Sequence, residues 1–127
     1  ASVAVTAAIV NGPMKLSVRR PRPDRRAQEV PVARHVRMPV TRSFPSGHAA
    51  AAFAFAAGVG RVSPAAGFPL RGLAAAVAYS RVHTGVHYPG DVVLGALLGT
   101  SCAQMTVHAV NRRTTPSPGG TKRAGRA

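Results

Sequence analysis

From Val92 to Val110 the chain carries no formally charged residue. That run is close to the roughly 20 residues a bilayer core demands of a helix. Pro89 suits the first turn of such a helix, which the pattern extends to about Val110. A segment this long and uncharged is either a membrane span or the buried helix of a soluble bundle, and both put helices at the centre of the fold. The remaining apolar stretches agree. Residues 1–12 read as the end of an apolar helix stopped by Gly12-Pro13. Ser46 is a good N-cap for a second helix reaching about Gly60. Ser63-Pro64 and Gly67-Phe68-Pro69 separate it from a third, expected from about Leu70 to Ser80 or Arg81. No stretch reads convincingly as a strand.

The expected architecture is therefore all-α, a membrane-embedded helical bundle in a single domain over residues 1–110, followed by a disordered basic tail over 111–127. The mean hydropathy of +0.06 is low for an integral membrane protein, so the soluble bundle stays open at this stage. Residues 14–44 form a long Arg- and Pro-rich connection, and connections of that length without a period are usually functional or disordered. The first residue is Ala rather than Met, and no signal-peptide pattern is present. We expect a fragment lacking N-terminal helices.

Charge narrows the chemistry. The chain has 17 basic residues, almost all Arg, against 3 acidic ones, for a net charge of +14. The Arg, Ala, Val and Gly bias suggests a GC-rich bacterial genome. Such a charge suits nucleic acid, an anionic membrane or a phosphorylated substrate. Most of it lies between Lys15 and Arg42 and after Arg112. With 4 Phe, 2 Tyr and no Trp, aromatics are too few to interleave as a nucleic-acid surface does, and nucleic acid is not an expected partner. Cys102 stands alone in an apolar run, so no disulfide framework exists.

Three short blocks carry the chemistry: Lys15 with Arg22-Pro23 beyond it, Pro45-Ser46-Gly47-His48, and Ser80-Arg81 followed by His87 and Asp91. A phosphate monoester carries about −1.5 to −2 charges near neutral pH. Its transfer depends on fixed positive groups aimed at the non-bridging oxygens, a nucleophile, and a proton for the leaving group. Lys15, Arg22 and Arg81 can supply the cations. Ser46 adds a hydroxyl and, as an N-cap, leaves the N–H groups of Gly47 and His48 at a helix start, where anions bind. Gly47 also permits close backbone approach. A nucleophilic imidazole must be neutral and a general acid must be protonated, so His87 and His48 need different surroundings. Asp91 is placed to accept the ring N–H of His87 and hold its other nitrogen toward phosphorus, which leaves His48 to protonate the departing oxygen.

In their order and internal spacing these blocks resemble the three-part signature of the type 2 phosphatidic acid phosphatase superfamily, over roughly residues 15–99. The stretches RMPVTRSFPSGHAAAAFAFAAGVG and AYSRVHTGVHYPGDVVLGALLG are similar to actinobacterial membrane members. The resemblance implies that Lys15, Arg22, Ser46, Gly47, Ser80 and Arg81 bind phosphate. It also implies that His48 is the acid, that His87 forms a phosphohistidine, and that Asp91 is its partner. It further implies metal-independent hydrolysis of a lipid phosphate, such as phosphatidate, a prenyl phosphate or diphosphate, or a glycolipid phosphate. No cofactor is expected, and the location is the bacterial cell membrane, integral. Some similar proteins are fused to a lipid-kinase-like domain, a possible partner. Two other readings compete: a vanadate-dependent haloperoxidase, whose enzymes look alike in these blocks, and a non-enzymatic module binding anionic lipid or nucleic acid.

His83, His87 and Asp91 recur every four residues like a metal ladder, but Pro89 and Gly90 break the helix that would align them. No metal site is expected, and His83 reads as a supporting or surface residue. Arg19, Arg20, Arg25, Arg26, Arg34, Arg37 and Arg42 read as a solvated or headgroup-facing loop with no assigned chemistry. His35 and His108 lie outside the blocks. Phe53 and Phe55 read as helix packing.

Overall fold

The computed structural model describes residues 1–18 and 20–114, and within them the chain is all-helical with no strand. In order come α1 (Ser2–Ile9), a π-helical turn (Val10–Met14), the single turn α2 (Lys15–Ser17), a 3-10 turn (Val32–Arg34), α3 (Gly47–Val62), α4 (Pro64–His83) and α5 (Pro89–Thr114). The α3 helix lies at the centre, packed on α1, α4 and α5.

Its core is built from small residues. Ala49, Ala50, Ala54 and Ala56 of α3, Ala74 and Ala78 of α4 and Ala103 of α5 are buried, while no Leu or Phe is. Small side chains let backbones come close. On α5 a Cβ at Gly99 would overlap the Ala50 carbonyl, and one at Gly95 would stand 2.5 Å from the Ser46 carbonyl. These two glycines, one turn apart, set the depth at which α3 and α5 meet, and so where the α3 N-terminus lies relative to the start of α5.

Ser46 caps α3 as expected, its hydroxyl accepting from Ala49 N at 3.5 Å. The α4 helix corrects the sequence reading. It starts at Pro64 rather than about Leu70 and ends at His83, with Pro69 inside it. A proline there removes one backbone hydrogen bond. The loss is offset by the Ser63 cap, whose hydroxyl accepts from Ala66 N at 3.4 Å, and by Pro64 in the first turn. Gly67 also seats directly on the Gly60 backbone. Similarly α5 runs to Thr114, past Val110, so 111–114 belong to the helix and not to the expected tail. Residues 115–127, the rest of that tail, and Arg19 lie outside the described residues. Among the described helices α5 is long and apolar enough to cross a membrane, and only 28% of its most apolar window is buried within the chain.

Candidate active site

The site is assembled where the start of α3, the turn between α4 and α5, and the long basic connection converge. The α4 helix ends in a left-handed turn at Gly85, with φ +64°, a conformation that favours glycine. A Cβ there would also meet Val30 and Arg25 side-chain atoms near 3.0 Å. The turn folds the chain back so that the N–H groups of Val86 and His87 both donate to the Arg81 carbonyl at 3.2 Å. Arg81 thereby fixes the His87 backbone. Two residues later Pro89 opens α5, and the Asp91 carboxylate reaches back to accept from Tyr88 N at 3.0 Å. This is the acidic half of a capping box, placed at the positive end of the helix. The Asp91 carbonyl in turn accepts from Ser46 N at 2.9 Å, tying the two helix starts together.

Lys15, Arg22, Gly47, His48 and His87 share the walls of one cleft of about 280 Å³, together with Asn11, Pro39, Thr41 and Ala51. Gly47 is where the opposite wall comes closest. A Cβ on it would stand 3.2 Å from Asn11 Oδ1 and 3.9 Å from Lys15 Nζ. Ser46 and Asp91 are fully buried behind this wall. Ser80 and Arg81 lie beside the cleft rather than in its lining: the Ser80 hydroxyl donates to Val77 O at 2.7 Å and accepts from Arg81 Nε at 3.3 Å.

Arg22 is the most constrained cation. Its Nε donates to Thr41 O at 2.7 Å, its Nη2 to Thr41 Oγ1 at 3.2 Å, and its Nη1 to Val86 O at 2.8 Å. The same Nη1 stands 3.4 Å from His87 Nε2. Lys15 Nζ donates to Thr41 Oγ1 at 3.4 Å, so one threonine aligns both cations.

His87 is only 4% exposed. Its Nδ1 faces Asp91 Oδ2 at 3.7 Å and makes no hydrogen bond, and its Nε2 is on the cleft side beside Arg22. Burial, and then the Arg22 charge, lower its pKa to about 4 against the opposing pull of Asp91 and the Ser43 backbone. The ring is neutral at physiological pH. His48 is exposed, and its pKa is also lowered, by partial desolvation and then by Arg81, Lys15 and Arg22. Lys15 is lowered by desolvation and then by Arg22. Desolvation leads all three shifts, and the neighbouring cations add to it.

Two residues that the sequence reading placed in a solvated loop are structural parts of the site, and that expectation is corrected. Arg20 Nη1 pairs with Asp91 Oδ1 at 3.0 Å while its guanidinium lies 4.3 Å over the Tyr88 ring. Arg25 Nε donates to Thr84 O at 3.1 Å across the Gly85 turn. Ser43, not singled out before, is fully buried and donates its hydroxyl to Asp91 Oδ2. With Thr41 and Asn11 these are the residues sequence reasoning missed. Their signal is weak, because Arg20 and Arg25 sit in a crowd of similar arginines and Thr41 and Ser43 in an aperiodic connection. Among the described residues no three His, Cys, Asp or Glu side chains converge as metal ligands. His83 stacks on Tyr79 with ring centroids 5.4 Å apart.

A profile described as the PAP2 superfamily matches residues 1–115. Two curated relatives, both named decaprenylphosphoryl-5-phosphoribose phosphatase, come from Mycobacterium tuberculosis strains CDC 1551 / Oshkosh and ATCC 25618 / H37Rv. Each is 44% identical over 89 residues, which is 69% of this chain and 46% of the relative. The chain thus spans about half the length of the curated relatives it matches. No solved structure gives a significant match.

Proposed function

Because the chain belongs to the PAP2 superfamily, we propose that it takes part in hydrolysing a lipid phosphate at the cleft between α3 and the α4–α5 turn, by way of a phosphohistidine at His87. The observation that carries this reading is the orientation of one buried ring. Neutral His87 turns Nδ1 to Asp91 and Nε2 to a cleft edged by Arg22, Lys15 and His48.

In this mechanism Lys15, Arg22 and the N–H groups of Gly47 and His48 hold the non-bridging oxygens, Arg81 adds its charge from beside the cleft and turns in to the phosphate when substrate is bound, Ser46 shapes the helix start and Ser80 steadies Arg81. Nε2 of His87 attacks phosphorus and the P–O bond to the lipid breaks. His48 gives its proton to the departing oxygen, and Asp91 takes a hydrogen bond from Nδ1–H as the ring gains charge. Water then attacks the phosphohistidine with neutral His48 accepting its proton, the N–P bond breaks, and inorganic phosphate leaves. Bound phosphate matters for His48. Desolvation lowers its pKa most and the cations add to it; a bound dianion would offset the cations and so favour the proton that the acid must carry.

The substrate class follows from the relatives, which are named for a prenyl-linked phosphoribose. A prenyl-linked sugar phosphate is the first candidate, with phosphatidate and prenyl phosphates behind it. Membrane placement is supported by α5 and by the apolar side chains the fold leaves outside: Val93, Leu97, Met105, Phe55 and Leu73 are each more than half exposed. Apolar surface of this extent marks contact with lipid or other helices. The site groups sit at the end of this bundle, outside the apolar run. The test is to mix detergent-solubilised protein with a lipid carrying labelled phosphate and quench in alkali. An acid-labile, alkali-stable label on His87, with phosphate release that persists in chelator, is the expected result. Release without any protein-bound label excludes the covalent route.

A further inference from the structure

The α4 and α5 helices each pack along α3 and scarcely touch one another. Over the second half of α3 this leaves a groove of about 200 Å³, floored by Phe53, Ala57 and Arg61 and walled by Arg71 of α4 and by Thr100 and Gln104 of α5. Phe53 and Ala57 make one end apolar. The other end holds two guanidinium groups brought from different helices. Helical side chains lean toward their own N-terminus, so Arg71 reaches back along α4 to lie against Gly60, where a Cβ would stand 3.3 Å from its Nη2. Two like charges are thereby drawn to one place. Both residues are exposed, and neither has an ion pair or hydrogen bond among the described residues. The three acidic residues lie elsewhere: Asp91 opens α5, and Asp24 and Glu29 belong to the long connection that packs on the Gly85 turn. Arg61 stands about 20 Å along α3 from His48 at 1.5 Å per residue, so this pair cannot reach a phosphate held beside His87.

We propose that this groove binds an anionic phospholipid of the surrounding membrane, with the headgroup phosphodiester between Arg61 and Arg71 and a chain laid along Ala57 and Phe53. The proposal rests on the membrane placement argued above and not on the hydrolytic chemistry. Guanidinium forks present the paired donors that a phosphate edge accepts. The Gln104 amide adds a donor from α5, whereas the Thr100 hydroxyl is committed to Ala96 O at 2.9 Å. Basic pockets between membrane helices seat anionic headgroups. A helix does not fit, since one turn about 10 Å across and 5.4 Å long needs roughly 400 Å³. A lipid here fills the gap that α4 and α5 leave over α3.

The test counts lipids retained by the detergent-solubilised chain in native mass spectrometry, comparing phosphatidylglycerol with phosphatidylcholine of the same chains. The wild type should favour phosphatidylglycerol about tenfold or more, the scale of two arginines beside an anionic headgroup. Because the whole chain is basic, the control removes charge elsewhere, as Arg112→Gln with Arg113→Gln, an exposed pair at the end of α5. That variant should keep the preference, and Arg61→Gln with Arg71→Gln should lose it. Gln104→Glu, which sets a carboxylate in the same wall at an exposed position, should lose it too, so the result does not hang on one variant folding. No preference in the wild type, a preference that survives in a folded groove variant, or equal losses in the groove and control pairs overturns the proposal. Excess inorganic phosphate should leave the lipid in place. If it abolishes the preference, the arginines take a free anion and the lipid assignment is wrong. Alkaline washing of the chain in phosphatidylcholine bilayers reports membrane placement separately: a chain that is washed out counts against the membrane reading on which the site rests, and one that stays but shows no preference counts against this site alone.

Discussion

The two walls of the cleft hold the same side chain in opposite conditions. On the α4–α5 side His87 is 4% exposed, backed by Asp91, and fixed at its backbone through the Arg81 carbonyl. On the α3 side His48 stands exposed on the first helical turn, with cations rather than a carboxylate as its electrostatic neighbours. Burial, and then the Arg22 charge, holds the pKa of the first ring down to about 4. Partial desolvation, and then crowded positive charge, lowers the pKa of the second. Placement alone thus gives the same side chain two different electrostatic surroundings.

The hardest blow to this contrast falls on the buried wall. His87→Gln is expected to lower phosphate release about 10⁴-fold or more, since the proposed mechanism then loses its nucleophile. Asp91→Asn comes next. The amide keeps the shape and can still accept from Tyr88 N, but it removes the charge that stabilises the imidazolium. A fall of roughly 10²- to 10⁴-fold is expected with phosphate affinity nearly unchanged. Steady-state rates combined with phosphate binding check both. An Asp91→Asn enzyme at wild-type rate would break the asymmetry between the walls.

The exposed wall should yield to chemistry rather than to truncation. His48→Ala is expected to slow hydrolysis of an alkyl phosphate by roughly 10²-fold, the usual worth of a general acid. With an aryl phosphate, whose phenolate leaves without a proton, most of that loss should vanish. Equal losses on both substrates would mean that His48 only binds.

What the sequence disclosed differs along the same line. The starts of α3 and α5 were legible because Ser46 and Pro89 are local signals, and the three blocks announced the cleft through residue type and spacing. The start of α4 was not, because Pro69 reads as a breaker until Gly67 is seen seated against Gly60, a contact between helices. Arg20 was hidden for a related reason: its partner lies 71 residues away. Nothing local separates it from the arginines around it. Gly95 and Gly99 look like ordinary small residues of an apolar run, and their role in bringing Ser46 to Asp91 exists only once α3 lies across them.

Arg20 provides the finest test of the buried wall. It holds Asp91 Oδ1, leaving Oδ2 to Ser43, Tyr88 N and His87, while the Tyr88 ring steadies its guanidinium. His87 has a folded pKa of about 4, below its ordinary 6.5. The ring is therefore neutral throughout the neutral range, and on the proposed mechanism the acid limb of the activity profile should lie near pH 4. Stability should begin to fall earlier. The unfolded ring gains its proton near 6.5, so unfolding is favoured progressively as pH decreases from 6.5 toward 4. Removing Arg20 leaves the Asp91 charge unshared, and that charge should then support protonation of His87 more strongly. Arg20→Ala is thus expected to cost roughly tenfold in rate and to move the acid limb of the pH–rate profile to higher pH. Arg20→Lys, which keeps the charge, should move it less. A residue that served only to hold the loop would lower the rate and leave the limb where it was.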